Sequence, residues 1–335
     1  MKQLGLVILS VLLLLSCGNN GKGKVETSIG SLKKKTMIRA EESFSTTRTN
    51  LKGEVLPQWK KSDSLYIHAS IQELVQLASK HNNKIERLVA FRALLRKEPH
   101  EAVNLAISEI EDTTIVSVSD GMCAEKNVLS NVRIGMIQYK RTKNNVSVVD
   151  SIRLDSAVLF SANSAKFYYS KDLYHRLPAK PEYEQRLRQL YKQDCCALIA
   201  LARFHKKEEK REISRLLSQL EYKDSWSYHD TIRAIMDAVA VWPSPSYKQQ
   251  VRQVCRNILS KKDAYCYSES TFGALMAYND RWGYNLIDKM MLKAKQKDSD
   301  YYLWLCDLHE AYNNHPYPRF KPLIKKYPLK QSIRR

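Results

Sequence analysis

The sequence predicts an all-α protein, and three observations carry that prediction. Apolar residues recur at steps of three and four along most of the chain, the spacing that gathers side chains on one side of a helix. The 335 residues include only ten Gly and ten Pro, too few turn formers for a fold of many short strands. The striped segments also come in adjoining pairs, and a one-sided helix needs a neighbour to cover its stripe. Apolar residues make up 44%, which excludes a disordered chain. The length allows one large domain or two ordinary ones. The formal charge of +20 admits a polyanionic partner, but it bears on solubility and non-specific attraction rather than on fold.

At the start, Lys2 precedes an apolar run from Leu4 to Leu15, and Ser16-Cys17-Gly18 follows. A basic flank and about a dozen apolar residues describe a secretory signal too short to span a bilayer. Leu14-Leu15-Ser16-Cys17 resembles the lipobox of bacterial lipoproteins. That resemblance implies a signal peptide over 1–16 and acylation of Cys17 after cleavage. It also implies an envelope address, at the outer membrane facing the periplasm. The membrane is then a partner through the N-terminal lipid, and several acyl chains make such an anchor stable. Residues 17–62 read as the lipidated flexible tether, polar and rich in Lys, Thr and Ser. Gly18 to Lys24 fits the first positions of a phosphate-binding loop. A cleavage site stands there in place of a buried strand, and Val25 replaces the magnesium-holding hydroxyl, so nucleotide binding is rejected.

An N-terminal helical region is expected over 63–180. Leu65, Ile71, Leu74, Val75 and Ala78 form one stripe, with Ser64 as its cap. Lys84 to Lys97 gives a second, and Pro99 opens a third where its missing N–H costs nothing. Between 113 and 165 the pattern is mixed. Thr114 to Val118 alternates and Asp120-Gly121 offers a turn, the signature of a small β insertion. The stretch from Val146 to Phe160 fits either period. Helices with irregular connections are the expectation, and a hairpin is the alternative.

Helical repeats are expected over 181–330. Tyr183 to Leu220 reads as two helices around the polar turn His205 to Lys210, the first carrying Leu187, Leu190, Tyr191, Cys195, Leu198 and Ala202. Further stripes follow at Thr231 to Trp242, Val251 to Leu259, Phe272 to Tyr278, Trp282 to Met290, Tyr301 to Tyr312 and Phe320 to Ile324. Pairs beginning near residues 183, 230, 268 and 299 suit two-helix solenoid units. Ala197 to Phe204, its charged turn, and Ile213 to Leu217 resemble the two-helix unit of HEAT-like α-solenoids, as do Leu88 to Lys97 and Pro99 to Ile110. That resemblance implies a scaffold that binds macromolecules, and it brings no catalytic residues.

Local signatures of catalysis are missing. Besides Cys17, the cysteines are Cys123, Cys195, Cys196, Cys255, Cys266 and Cys306. None has zinc-site spacing, and buried free thiols are expected ahead of bridges. His309-Glu310 and His315 are too far apart for a zinc-protease helix. Glu208-Glu209 reads as solvated charge. No catalytic residue, cofactor or metal is assigned. Tyr168, Tyr169, Tyr222, Trp226 and Tyr228, with Tyr174 and Tyr183, are candidate partner-binding aromatics. Asp-Ser and Asp-Thr steps at Asp63, Asp150, Asp155 and Asp230 look like a short acceptor motif of bacterial periplasmic O-glycosylation. The expected function is non-catalytic: holding a protein or envelope component, with no nucleic-acid role. The alternatives are an immunity or inhibitor protein and an envelope glycan- or lipid-processing enzyme with a dispersed site.

Overall fold

A computed structural model describes residues 43–329, apart from 51, 82, 120–123, 142, 144, 168–169, 221–225, 261–263 and 298–300. Among the described residues the protein is mostly helical, with sixteen α-helices and one small three-stranded sheet. The chain divides into two compact units, Met1–Leu154 and Asp155–Arg335. The boundary expected near 180 therefore falls earlier, within a helix.

The N-terminal unit contains β1 (Phe44–Ser45), α1 (Pro57–His68), α2 (Ile71–Lys80), α3 (Lys84–Lys97) and α4 (Pro99–Ser108). Then come β2 (Ile115–Ser119), β3 (Ala124–Val128) and α5 (Leu129–Arg141), and α6 (Val148–Phe160) carries the boundary. Helix α3 is central: α1, α2, α4 and α5 all pack on it. Ile85 and the run from Leu88 to Leu95 are buried, the signature of a helix covered on every side. Asn83 starts it by accepting the Ile85 and Glu86 amides, and Pro99 opens α4 as its sequence predicts.

Three expectations change in this unit. The stripe from Leu65 to Ala78 is two helices, because Ser70 forms a capping box with Glu73 and starts α2 afresh. Ser64 lies inside α1, which begins at Pro57, so it caps nothing. The tether expected over 17–62 ends early, since β1 pairs in parallel with β2 and Phe44 is buried against Ile85, Leu88, Val116 and Val118. In the mixed region the hairpin alternative holds: β2 and β3 pair antiparallel, with Val116 and Val118 facing the core. The stretch 148–160 is helix. Leu154, Val158 and Leu159 are its buried side, while Val149, Ile152 and Phe160 stand exposed.

In the C-terminal unit the elements are α7 (Ser170–Arg176), α8 (Pro181–Tyr191), α9 (Ala197–Ala202), α10 (Lys207–Gln219) and α11 (Trp226–Val241). They continue as α12 (Lys248–Ile258), α13 (Ser268–Ala277), α14 (Arg281–Lys297), α15 (Tyr301–Asn314) and α16 (Lys321–Lys326). Alternate helices pack in rows. Helix α9 lies on α11, α11 on α13 and α13 on α15, while α10 lies on α12 and α12 on α14. The core between the rows gathers Ile232, Val239, Val251, Phe272, Leu275 and Trp304. Gly283 allows α14 to approach α13, for a β-carbon there would sit 2.4 Å from the Leu275 carbonyl oxygen.

The pair read from Tyr183 to Leu220 is three helices. The stripe runs on across 192–196, but the Asp194 carboxylate accepts the Cys196 amide at 2.9 Å and holds a turn there. Glu209 is another correction. It is buried, 2.6 Å from Arg188 of α8, because α10 turns that position inward while Glu208 stays exposed.

Candidate functional site

Helices α11, α13 and α15 bring five charged residues near one another. Helix α11 supplies Arg233 and Asp237, one turn apart; α13 supplies Glu269; α15 supplies Asp307 and Glu310. Each sits beside a core stripe: Asp237 follows Met236, Asp307 precedes Leu308, and Glu269 lies one turn before Phe272. The stripe thus fixes the helix rotation and leaves these side chains at its edge. Arg233 donates from Nε to the Cys266 carbonyl at 2.7 Å, and the Ser268 hydroxyl bonds Asp307. Two histidines join. His175 of α7 stands 3.4 Å from Asp237, and His315, just after α15, packs over Gly273.

The electrostatics show that these groups sense one another. Burial, then Asp307, Asp237 and Glu310, raise the Glu269 carboxyl above the usual carboxylate range, against the pull of Arg233. Burial likewise raises Asp307; Glu310 adds to this, while Ser268 and Arg233 oppose it. Burial lowers His315, with Asp237 opposing. Four carboxylates and one arginine therefore leave an acidic face on a chain of strongly positive total charge.

A carboxyl whose folded pKa is raised holds its proton more tightly in the folded state. Its contribution to stability is present at low pH and is lost as pH rises through the folded pKa. Glu269→Gln is therefore expected to stabilise the protein at pH 7, by less than about 1 kcal/mol because the carboxyl is only partly withdrawn from water, which still reaches and screens it. The gain should vanish towards roughly pH 4, where glutamate itself takes up a proton. Thermal unfolding at the two pH values checks this, and an equal shift at both would refute it.

The residues singled out from sequence are scattered. Cys17, Tyr168, Tyr169 and Tyr222 lie outside the described residues, and Trp226 and Tyr228 fall in the first turn of α11. Tyr174 and Tyr183 are core residues, so neither lines a groove. Cys195, Cys196, Cys255, Cys266 and Cys306 are not in disulfides, and Cys123 lies outside the described residues. Burial pushes the Cys255 thiol up to about 12, so it is inert. A hydrogen bond from Cys196 brings Cys195 down to about 7, with burial opposing and Thr231 assisting. Asp194, Cys195 and Cys196 bring three donor atoms within 4.8 Å of one another. Closed zinc sites take four ligands, and among the described residues no fourth joins this set, so no ion is assigned.

The acceptor-like steps lie inside helices. Asp63 pairs with Arg48 and Arg96, Asp150 with His100 and Arg153, and Asp155 with Arg176. His309 bonds the Tyr327 carbonyl at 3.0 Å, away from any metal geometry. Sequence reasoning missed the acidic face because its members lie on three helices distant in the chain. The available signal was an acid at the polar edge of successive stripes. No helix among the described residues is long and apolar enough to cross a membrane. Comparison with protein-family models, with characterised proteins and with solved structures found no match.

Proposed function

We propose that this chain is a non-catalytic, lipid-anchored protein of the bacterial envelope, moored through Cys17, with HEAT-like two-helix units stacked as an α-solenoid. Its task is to hold a protein partner, at the outer membrane on the periplasmic side. The observation that carries the reading is the charged face on α11, α13 and α15. Glu269, Glu310 and His175 are exposed there, so the groups meet solvent where a partner can reach them. Acidic character on a chain of +20 selects a partner with a basic surface, since complementary charge steers encounter and excludes like-charged competitors. The two rows of alternating helices support the solenoid reading, and the lipobox residues support the anchor.

Affinity recovery from envelope extracts tests the proposal. The wild-type chain is expected to retain a reproducible protein partner, and the Asp237→Lys, Glu269→Lys, Glu310→Lys variant to lose most of it. Mass spectrometry of the same preparation should find a diacylglyceryl group on Cys17. Recovery of no partner, or equal recovery by the variant, would overturn the binding role; an unmodified Cys17 would overturn the anchor. A second reading, an enzyme with a dispersed site, is favoured by the raised carboxyls of Glu269 and Asp307 in a cluster whose Asp237 meets His175, because acid–base catalysts need such tuning.

A further inference from the structure

On the other row, α12 and α14 enclose a cleft of about 370 Å³. Positions 252, 255 and 256 lie on one face of α12 with 259 just past its end, and 282, 285, 286, 289 and 290 form one face of α14. Both sets repeat at three and four, so each lies on one side of its helix. The cleft has two chemistries. Arg252, Arg256 and Lys289 bring three positive charges to it, and no carboxylate pairs with them among the described residues. Leu259, Trp282, Leu286 and Met290 make an apolar wall. The Trp282 ring is held edge-on by Tyr278 at 5.2 Å, with the Lys248 ammonium over it at 5.3 Å. Its indole N–H is buried and has no acceptor among the described residues.

Like cations gathered without a counter-charge repel one another. One kind of ligand relieves the repulsion and covers the apolar wall: an anion with several acceptor oxygens joined to an apolar portion. Arginines one turn apart match the geometry of a phosphate group, which accepts paired N–H donors. A phosphomonoester carries nearly two negative charges at neutral pH. The volume falls within the range of small-ligand sites. We infer that the α12–α14 cleft binds a phosphate-bearing amphiphile, with the phosphate against Arg252, Arg256 and Lys289 and the apolar portion along Trp282 and its wall. This site is independent of the acidic face and of whether that face holds a partner.

The full chain in non-ionic detergent is titrated with dihexanoyl phosphatidic acid while tryptophan emission is followed. A saturable change is expected, and it should be absent from Trp282→Phe. Arg252→Gln with Arg256→Gln should weaken binding by at least about tenfold, since the paired charge-assisted bonds to the phosphate are lost. Both arginines are exposed, so circular dichroism should show this variant folded. Three results would overturn the inference: no saturable change, equal affinity for dihexanoyl phosphatidylcholine, or an unaffected double variant. Inorganic phosphate binding as tightly as the lipid would also overturn it, because the apolar wall would then add nothing. Where the lipid binds as expected, competition by phosphatidic acid vesicles identifies a membrane source; lack of competition identifies a soluble phosphorylated amphiphile. Either supports the cleft.

Discussion

Phe44→Ala is expected to destabilise the N-terminal unit by about 3–5 kcal/mol, the range for emptying a buried aromatic site. The ring is fully buried. On one side it meets Ile85, Leu88, Val89 and the inward valines of β2. Against the other lies the Arg92 guanidinium, 4.2 Å from its centroid and 3.8 Å from that of Trp59. Arg92 is itself buried, and burial, then Arg96, bring its pKa down to about 9, with Asp63 opposing. It donates to the Ser45 carbonyl at 2.6 Å. Removing the ring therefore leaves a cavity and takes one aromatic face from a desolvated cation, worth about 2 kcal/mol where water is excluded. Gln58 also fixes the strand, accepting the Ser45 amide and donating to the Ser43 carbonyl, each at 2.8 Å. Urea unfolding followed by far-ultraviolet dichroism reads the effect. A solvated tether at Phe44 would give no shift in midpoint, and that result would contradict the strand.

Arg133→Ala is the second large expected loss, again about 3–5 kcal/mol, the cost of breaking a buried ion pair from one side. Arg133 is fully buried on α5 and reaches the Glu109 carboxylate at 2.5 Å, where α4 ends. Its other amino group donates to the Ala78 carbonyl in the last turn of α2. Arg87 of α3 makes a parallel set, 2.7 Å from Glu109 and 2.6 Å from Asp112, and its Nε also donates to Ala78. Two guanidinium groups thus meet the negative end of α2 and tie four helices together. Burial pulls Arg133 below its ordinary pKa, and Glu109 restores part of the difference. Arg133→Met, which keeps much of the volume, should lose less than alanine. Hydrogen exchange should show the Arg133→Ala loss first at the C-terminal turn of α2. Protection unchanged there, with an unchanged unfolding midpoint, would show that the network contributes nothing.

The sequence was legible wherever one element reveals itself by its own period. Lys84–Lys97, the proline start of α4, the alternation of β2 and the stripes of α11 to α15 are all signals carried by neighbouring residues. Boundaries set by one side chain were harder. Ser70 and Asp194 each stop a stripe whose apolar spacing continues past them, because a capping or turn-holding hydrogen bond outweighs the pattern. The tether was misread for a related reason: Phe44 is a lone aromatic in a polar run, and its strand is only two residues long. Nothing local marks it, since its partners are a strand and a helix tens of residues later in the chain.

From the sequence alone came the helical class, the place of most helices and the lipobox at Cys17 as an expectation. Tertiary structure decided which charges meet: Glu209 turned inward onto Arg188, Arg133 buried between the ends of α2 and α4, four acids gathered across α11, α13 and α15, and three cations facing one another between α12 and α14. The physical reason is range. A helix's period is written in adjacent residues, whereas burial and charge pairing depend on which distant helix lies alongside, and that follows only from packing the whole chain.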